Sequence, residues 1–348
     1  MKYKLDKYNL DSIVNNVITK KHIYGAVFYV SSNDNSIDLI SSAGNMKDNS
    51  QYYIASINKL FVSSIILKLY AENKLELQDK ISSYLPAEVI RGLHVYKKTD
   101  YSNTLSIYHL MSHTSGLPCY LIDKQANGIK AMRELEAGID QPWPIDKVIK
   151  EVKKMKPHFS PGQANKAKYI DTNHQILSLV IEAITGESIK FMLKRLFREL
   201  NLKNTYVYEN IGNEKFIPLR YKSKLLDIPL FLSSTQNDII STAKDQMTFI
   251  KAFFNGLFFP REGLKEFMKW NKIFFPFEYG IGIQRFRFPR ILSPFSAIPE
   301  MIGHCGSTGS VAFYVPQKDV YITGTTNQQA RPNIAFQALI KIINKLDT

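Results

Sequence analysis

The sequence is poor in cysteine and has no long apolar run. Its 348 residues include only two cysteines, Cys119 and Cys305. Two cysteines so far apart provide neither a disulfide framework nor a metal-binding pattern. No stretch approaches the roughly 18 apolar residues of a membrane span, and the charged N-terminus lacks the apolar core of a signal peptide. We therefore expect a cytoplasmic chain that does not span a membrane and is not exported by the general route.

Composition and charge narrow the class of protein further. Hydrophobic residues make up 45% and charged residues 22% of the chain, as is ordinary for a soluble globular protein. The net charge of +14 would attract anions such as nucleic acid or an acidic cell envelope. The densest basic clusters, at 147–158 and 285–290, are typical of a solvated helix face and of a strand with one wet face. Since no nucleic-acid-binding motif accompanies them, we expect no nucleic-acid partner.

Strand-like segments lie near both ends of the chain. Residues 23–32 and 36–45 predict two strands joined by a polar turn, and strands return at 279–288, 309–316 and 319–327. Helices are predicted between these two groups of strands, and one more precedes the first: 9–19, the segment after Ser56, 105–112, 145–155, 173–185, 188–200 and 242–257. This order predicts an α/β (α+β) fold, with an antiparallel sheet that is built from both chain ends and flanked by helices.

The same order predicts how the chain is divided. We expect a single catalytic domain over residues 1–348, into which a mainly helical lobe is inserted. The sheet lobe would comprise about 1–55 plus 240–348, and the helical lobe about 56–239. Such a body would have a cleft between the sheet and the inserted lobe.

A serine and a lysine open the most apolar helix of the sequence. Ser56 precedes Lys59 by three residues, so both lie on one face of the first turn. The residues that follow, up to Leu69, are apolar nearly all round, which predicts a buried helix. Burial disfavours the charged form of a lysine, and a partly neutral amine can take a proton from a hydroxyl. Alternatively, Ser56 is only the helix N-cap and Lys59 reaches out to water. This stretch alone does not decide between the two.

Further segments occur in a characteristic order after this pair. They are "LSIYHLMSHTSGLP" (105–118), "FSPG" (159–162), "YIDTNHQILSLVIEAITGES" (169–188), "IISTAKDQMTFIKAFFNG" (239–256), "EYGIGI" (278–283) and "GHCGSTGSVAFYVPQKDVYITGTTNQ" (303–328). Together with the SxxK pair they closely resemble the serine β-lactamase and penicillin-binding-protein superfamily. The resemblance is strongest to its class C-like branch of β-lactamases, D-alanyl-D-alanine carboxypeptidases, D-aminopeptidases and esterases. It spans roughly residues 20–340 and implies a β-lactamase/transpeptidase-like fold.

The resemblance implies roles for the first two motifs. Ser56 would be the acylated nucleophile and Lys59 the amine that activates it. The second motif, Tyr-x-Asn or Tyr-x-Asp, has two candidates, residues 101–103 and residues 169–171. We favour Tyr169 and Asp171, because a Pro-Gly turn precedes them and the helix that follows ends in Thr-Gly, as in the family. Asp171 could instead be only the N-cap of that helix.

The third motif is Lys-Thr-Gly in β-lactamases and His304-Cys305-Gly306 here. On a strand, successive side chains alternate, so His304 would point into the cleft and Cys305 away from it. Gly306 would let a substrate approach the strand closely. By resemblance, the amides of Ser56 and Ser307 would form the oxyanion hole. The alternative for His304 is a structural histidine at a strand end.

These motifs imply a serine hydrolase that acts through an acyl-enzyme on Ser56. It would need no metal or cofactor and would hydrolyse an ester or amide of a small molecule or short peptide, like an esterase or D-amino-acid peptidase. A histidine at position 304, which ordinarily titrates near pH 6.5, is more typical of such members than of efficient β-lactamases. The alternatives are a β-lactamase, a D-alanyl-D-alanine carboxypeptidase, or a penicillin-binding sensor with little turnover. The sequence does not indicate an oligomeric state.

Overall fold

A mixed α/β architecture is present in the computed structural model, which describes residues 5–210, 212, 215–288 and 298–346. The strands are β1 (Gly25–Ser32), β2 (Asp38–Gly44), β3 (Tyr52–Tyr53), β4 (Val95–Tyr96), β5 (Thr99–Asp100), β6 (Tyr206–Val207), β7 (Arg220–Tyr221), β8 (Lys224–Leu225), β9 (Ile239–Ser241), β10 (Asn271–Phe274), β11 (Phe277–Tyr279), β12 (Gln284–Phe286), β13 (Met301–Cys305), β14 (Ser310–Val315) and β15 (Val320–Thr325). The helices are α1 (Lys7–Ile18), α2 (Asn58–Ala71), α3 (Ala87–Ile90), α4 (Ile107–Met111), α5 (Ala131–Glu136), α6 (Ile145–Val152), α7 (Asp171–Thr185), α8 (Ile189–Glu199), α9 (Pro229–Ser234), α10 (Ala243–Phe254), α11 (Leu264–Phe267) and α12 (Asn333–Asn344).

The main sheet joins the two ends of the chain. Its eight strands run in the order β10-β11-β12-β13-β14-β15-β1-β2. Every neighbouring pair is antiparallel, and β1 meets β15 with Val27 opposite Thr325. The predicted fold class is thereby confirmed. The proposed boundaries of the two lobes stay a prediction.

Two apolar layers cover the two faces of the sheet. Along β1, Phe28 and Val30 enter the core that α1 and α12 cover, whereas Val27 enters the larger core around α2. This alternation follows from the period of two in a strand. Helix α10 packs on β1, β14 and β15. The face that carries α2 and α10 is the one on which the candidate site lies.

Helix α2 is buried on all sides. All ten residues of the helix from Asn58 to Leu67, polar and apolar alike, are buried. Phe61 stacks on Phe249 of α10, and its edge meets Phe197 of α8. A helix that is apolar nearly all round needs this enclosure, because any exposed face would leave apolar area in water. The buried position predicted for this helix is therefore present in the fold.

Some predicted elements differ from the observed ones. The strand predicted over 279–288 is interrupted, because the chain bends at Gly282, where φ is +72° and a Cβ would lie 2.7 Å from the Ser63 side chain. The wet strand face predicted for 285–290 is wrong at Arg285: its side chain is 11% exposed and pairs with Glu278 and Glu300. Positions 289–290 lie outside the described residues. Strand β10 and helix α12 were not predicted at all.

Within the part of the chain that the structure describes, no helix combines the length and the apolarity that crossing a membrane requires.

Candidate active site

Ser56 lies in a tight turn between β3 and α2. The turn, Ala55–Ile57, is a single 3₁₀ turn, and Ala55 has a φ of +48°. A left-handed conformation costs a residue with a Cβ roughly 1–2 kcal/mol, so the surroundings must hold it. Ser310 donates a 2.7 Å hydrogen bond to the Ile54 carbonyl, and Thr308 donates one of 3.3 Å to the carbonyl before it. The turn between β13 and β14 therefore fixes the position of Ser56.

Gly306 belongs to this support. A Cβ at this position would lie 2.6 Å from the Ile54 carbonyl oxygen and 2.9 Å from the Ala55 Cβ. The space beside Gly306 is thus occupied by the turn that carries Ser56. The missing side chain at Gly306 therefore makes room for the protein itself, and the close approach of a substrate to the strand at this position stays a prediction.

Lys59 bridges Ser56 and Asp171. Its Nζ donates a 3.1 Å hydrogen bond to the Ser56 Oγ and lies 2.7 Å from the Asp171 Oδ1. The two charged side chains are only 6% and 12% exposed. The alternative in which Lys59 reaches water is therefore wrong. The Asp171 carboxylate gives the buried Lys59 a counter-charge within the protein.

Both carboxylate oxygens of Asp171 contact residues outside its own helix. It is the first residue of α7, whose N-cap is Ile170 without a side-chain cap, so the N-cap alternative for Asp171 is wrong. Its Oδ2 accepts a 3.3 Å hydrogen bond from the Cys119 Sγ. Burial, and then the charge of Asp171, raise the pKa of the Cys119 thiol, which keeps the thiol protonated as a donor. Sequence reasoning missed this role because Cys119 is 52 residues from its partner.

Tyr169 lies beside this pair. The Nζ of Lys59 lies 5.3 Å from the centre of the Tyr169 ring. Burial raises the pKa of Tyr169 well above its ordinary value, and Asp171 raises it further, while the nearby Ser56 hydroxyl acts in the opposite direction. The Tyr169 hydroxyl is buried, and no group in the described residues lies in hydrogen-bonding geometry with it. It is thus a protonated phenol next to Ser56.

The competing tyrosine lies elsewhere. The ring of Tyr101 packs edge-on against His94, with ring centres 5.9 Å apart, and it does not line the cavity that contains Ser56. Of the two candidates for the second motif, the structure brings only Tyr169 to Ser56 and Lys59.

His304 is fully buried in β13. Its Nδ1 lies 2.8 Å from the Cys305 carbonyl oxygen, which can only accept, so Nδ1 carries the proton and Nε2 accepts from the Tyr279 hydroxyl at 3.2 Å. Burial, and then the charge of Lys59, lower the pKa of His304 to about 3. The expected titration near pH 6.5 is therefore wrong, and the ring is neutral at physiological pH.

The side chains of His304 and Cys305 point to opposite faces of the sheet, as expected, but His304 is not exposed in the cavity. The His304 ring faces Tyr169, at 6.0 Å between ring centres, whereas Cys305 packs against the core on the opposite face of the sheet. His304 is not among the residues that line the cavity; Ser307, which is exposed, does line it. This placement agrees with the alternative of a structural histidine.

His113 is a further residue at the site whose place the sequence did not reveal. Its φ is +57°, and its Nδ1 accepts a 3.0 Å hydrogen bond from the Ile170 amide. Its ring lies against those of Tyr169 and Tyr279, with centres 4.7 and 4.2 Å away. Burial lowers its pKa well below the ordinary value, so it is a neutral support for Tyr169. The segment "HTSGLP" is part of the family resemblance, but it does not predict the contact between His113 and Tyr169.

A cavity of about 160 Å³ opens at Ser56. Its charged lining residues are Lys59, Asp171 and Asp238, and Leu219 is one of several apolar residues that form a wall. Sequence reasoning did not single out the other polar lining residues, which are Tyr53, Asn58, Tyr120, His174, Gln175, Asn237, Asp238 and Gln329. Across the described ranges, no group of three or more His, Cys, Asp or Glu could hold a metal ion.

Fold and site together define a protein of the serine β-lactamase type. The chain belongs to the Beta-lactamase family, whose model matches residues 10–343. The family resemblance read from the sequence motifs is thus confirmed.

Particular relatives include proteins with several activities. The chain is similar to a D-stereospecific amidohydrolase from Streptomyces sp., with a TM-score of 0.77, 21% identity, and coverage of 96% of this chain and 98% of that one. It is also similar to the D-amino acid amidase from Ochrobactrum anthropi SV3, with a TM-score of 0.75, 17% identity, and coverage of 96% and 99%. At these identities the likeness establishes the shared fold.

A curated relative is Protein flp of Staphylococcus aureus (strain MRSA252). It is 23% identical over 224 residues, which are 61% of this chain and 40% of the relative. The match therefore spans well under half the length of that protein.

Proposed function

We propose that this protein is a serine hydrolase that cleaves an ester or amide through an acyl-enzyme on Ser56. The observation that carries the proposal is the 3.1 Å contact from the Lys59 Nζ to the Ser56 Oγ, made at a cavity by a lysine that Asp171 holds at 2.7 Å. A nucleophile within hydrogen-bond reach of its base, with the base oriented by a third group, is the arrangement that nucleophilic catalysis requires.

Acylation would begin with a proton shift. An ammonium cannot accept a proton, so the proton that Lys59 shares with Asp171 first moves onto the carboxylate across the 2.7 Å contact. The uncharged amine then takes the proton of Ser56 as the Oγ bonds to the substrate carbonyl carbon. The amides of Ser56 and Ser307 would hold the resulting oxyanion, where each such donor is worth roughly 3–4 kcal/mol.

Tyr169 would supply the proton for the leaving group. Its phenol stays protonated because burial raises its pKa. As the bond to the leaving nitrogen or oxygen breaks, Tyr169 donates its proton, and Lys59, which carries the serine proton, protonates the tyrosinate. Water then attacks the acyl-enzyme and the same proton transfers run in reverse, which restores Ser56 and leaves the acid product.

The charges of the cavity favour a substrate without a carboxylate. Among the lining residues that the structure describes, Lys59 is the single cation, and Asp171 already pairs with it. His304 is neutral, since its pKa is about 3. A substrate carboxylate would therefore meet no free cation, and the buried Asp238 would repel it. This supports the ester or amide hydrolase over the β-lactamase and carboxypeptidase alternatives.

The test is a substrate panel with detection of the adduct. p-Nitrophenyl esters, D-amino-acid anilides and a chromogenic cephalosporin are compared as substrates, and intact mass spectrometry follows the protein. We expect turnover of at least one ester or anilide and an acyl adduct that Ser56→Ala abolishes. Turnover that persists in Ser56→Ala would show that Ser56 is not the nucleophile. A stable cephalosporin adduct without turnover of any substrate would favour the penicillin-binding sensor.

A further inference from the structure

Asp238 is a second buried carboxylate in the cavity. It directly precedes β9 and is only 4% exposed. Tyr53 donates a 2.6 Å hydrogen bond to its Oδ1, and Thr235 donates one of 2.7 Å to its Oδ2. Within the part of the chain that the structure describes, no cationic side chain comes within ion-pair distance of it. The carboxylate is therefore hydrogen-bonded but has no ion-pair partner among the described residues.

Keeping a carboxylate at this position costs stability. Burial raises the pKa of Asp238 to about 6, and the hydrogen bonds from Tyr53 and Thr235 offset only part of that effect. At neutral pH the group is still ionised, although a buried charge without a partner is unfavourable. Perturbed ionisable groups of this kind cluster at functional sites.

Asn58 adds a second acceptor to the same cavity. Its Nδ2 donates a 3.0 Å hydrogen bond to the Asn237 carbonyl, which fixes the orientation of the amide. Its Oδ1 is buried and has no hydrogen-bond partner within the described residues, and the whole residue is 7% exposed. A carboxylate and an unpartnered carbonyl oxygen that line one cavity call for a ligand that donates hydrogen bonds and carries positive charge.

Asp238 is also close to the nucleophile. Tyr53, which holds it, lies three residues before Ser56, and both line the cavity. Lys59 lies near enough to lower the pKa of Asp238 by its charge. The charged lining residues are one lysine and two aspartates, so the ionised cavity carries a charge of −1 in a chain of +14.

We propose that Asp238 binds the protonated amine of the substrate, so that the substrates are amino-acid amides, amino-acid esters or peptides with a free amino group. The assignment rests on the proposed hydrolase function and names its substrate class. The substrate amine would donate to Asp238 and to the Oδ1 of Asn58. Its side chain would lie against the apolar wall that includes Leu219, Ile228 and Phe231.

The first test measures binding without turnover. Phenylalaninamide and N-acetylphenylalaninamide, each as both enantiomers, are titrated into the Ser56→Ala variant by calorimetry. The acetyl group removes the positive charge and leaves the rest of the ligand unchanged. We expect at least one enantiomer of the free amine to bind about tenfold or more tightly than its acetylated form. Equal binding of both forms, or no binding of any free amine, overturns the proposal without further variants.

The second test assigns the preference to Asp238. In a Ser56→Ala background, Asp238→Asn keeps one acceptor oxygen for one of the two hydroxyls of Tyr53 and Thr235 but removes the charge, and it should abolish the preference for the free amine. Asp245→Asn is the matched control. Asp245 is likewise buried and accepts hydrogen bonds from Asn204 and Thr205, but it does not line the cavity. A preference that survives Asp238→Asn, or is lost equally in Asp245→Asn, contradicts the assignment.

Turnover separates this proposal from the one on which it rests. p-Nitrophenyl acetate carries no amine, so its Ser56-dependent hydrolysis tests the hydrolase function alone. Suppose that this ester is hydrolysed, but that kcat/KM is no higher for phenylalanine p-nitroanilide than for its N-acetyl form. The amine proposal then fails and the hydrolase function stands. If Asp238 binds amines but no ester or amide is cleaved through Ser56, the hydrolase function fails.

Discussion

Lys59 and Asp171 form a buried ion pair, with 2.7 Å between the Nζ and the Oδ1, directly behind Ser56. The two residues are 112 positions apart in the chain, and they meet because α2 and α7 pack together. The pair lets a lysine stay buried without an uncompensated charge. It also places a proton acceptor next to the amine that the proposed acylation needs in its neutral form.

Breaking this pair should destabilise the fold. Asp171→Asn leaves the Lys59 ammonium buried without its partner, which typically costs roughly 3–5 kcal/mol. The measurement is the free energy of unfolding in denaturant. The matched control is Glu199→Gln, which breaks the surface pairs of Glu199 with Lys68 and Arg195; the Lys68 and Glu199 side chains are 36% and 41% exposed. That change should cost less than about 1 kcal/mol. Equal losses in the two variants would mean that the Lys59–Asp171 pair has no special weight.

Lys59→Arg should fail as completely as Lys59→Ala in acylation. A guanidinium keeps the positive charge that Asp171 requires, but it does not deprotonate in proteins and so cannot take the serine proton. The burst of p-nitrophenol from an activated ester reports the acylation rate. A normal burst from the arginine variant would show that Lys59 acts only through its positive charge and not as a base.

Tyr169→Phe should lower kcat by roughly 10²–10⁴-fold, the range of a positioned acid or base. The buried Tyr169 hydroxyl makes no full hydrogen bond in the described structure, so its removal should leave the free energy of unfolding almost unchanged. Tyr101→Phe is the control and should change neither quantity. A loss of activity in Tyr101→Phe alone would move the second motif to residues 101–103.

His304 should make the fold sensitive to acid. Its pKa falls from 6.5 in the unfolded chain to about 3 in the fold, so below pH 6.5 the unfolded state binds a proton that the native state does not. Stability therefore rises with pH between about 3 and 6.5, and this histidine alone costs about 2 kcal/mol at pH 5 relative to pH 7.5. His304→Gln should show a smaller difference in unfolding free energy between these two pH values. An unchanged difference would contradict a neutral buried histidine.

The neutral His304 also changes the expected effect of His304→Lys. A lysine here would be buried away from the cavity, next to Tyr279 and near the charge of Lys59. We expect it to destabilise the protein rather than to create a binding site for substrate carboxylates. The ratio of kcat/KM for a neutral ester over a cephalosporin, measured beside the melting temperature, checks this. A stable variant that gains cephalosporin hydrolysis would contradict it.

Asp238→Asn should stabilise the protein at neutral pH. The pKa of Asp238 rises from 3.8 to about 6 on folding, so between these pH values the unfolded state loses its proton first and the native state becomes less stable as pH rises. Asp171 adds to this cost by repulsion, whereas Lys59 and the hydroxyls of Tyr53 and Thr235 reduce it. Removing the charge should gain roughly 3 kcal/mol at pH 7 and little below pH 4. A variant less stable than the wild type at pH 7 would show that the ionised carboxylate supports the fold.

Local spacing explains what the sequence could predict about the site. Ser56 and Lys59 meet because residues three apart share a helix face, and this holds in any fold that makes the helix. The choice of Tyr169 over Tyr101 as a neighbour of Ser56 followed from motif order. The opposite directions of His304 and Cys305 followed from strand alternation. Helix α12, in contrast, has no motif and was not predicted, although its apolar face completes the core on the far side of the sheet.

The sequence by itself determined the family, the sheet made from both chain ends, and the serine and lysine at the start of a buried helix. Only the tertiary structure decided how these groups are charged. Asp171 reaches Lys59, His304 loses contact with water, and Asp238 enters the cavity through contacts between segments that are far apart in the chain. Periodicity fixes which neighbours share a face. The protonation state of each group, by contrast, depends on the solvent and charges around it, and these are set only when distant segments pack together.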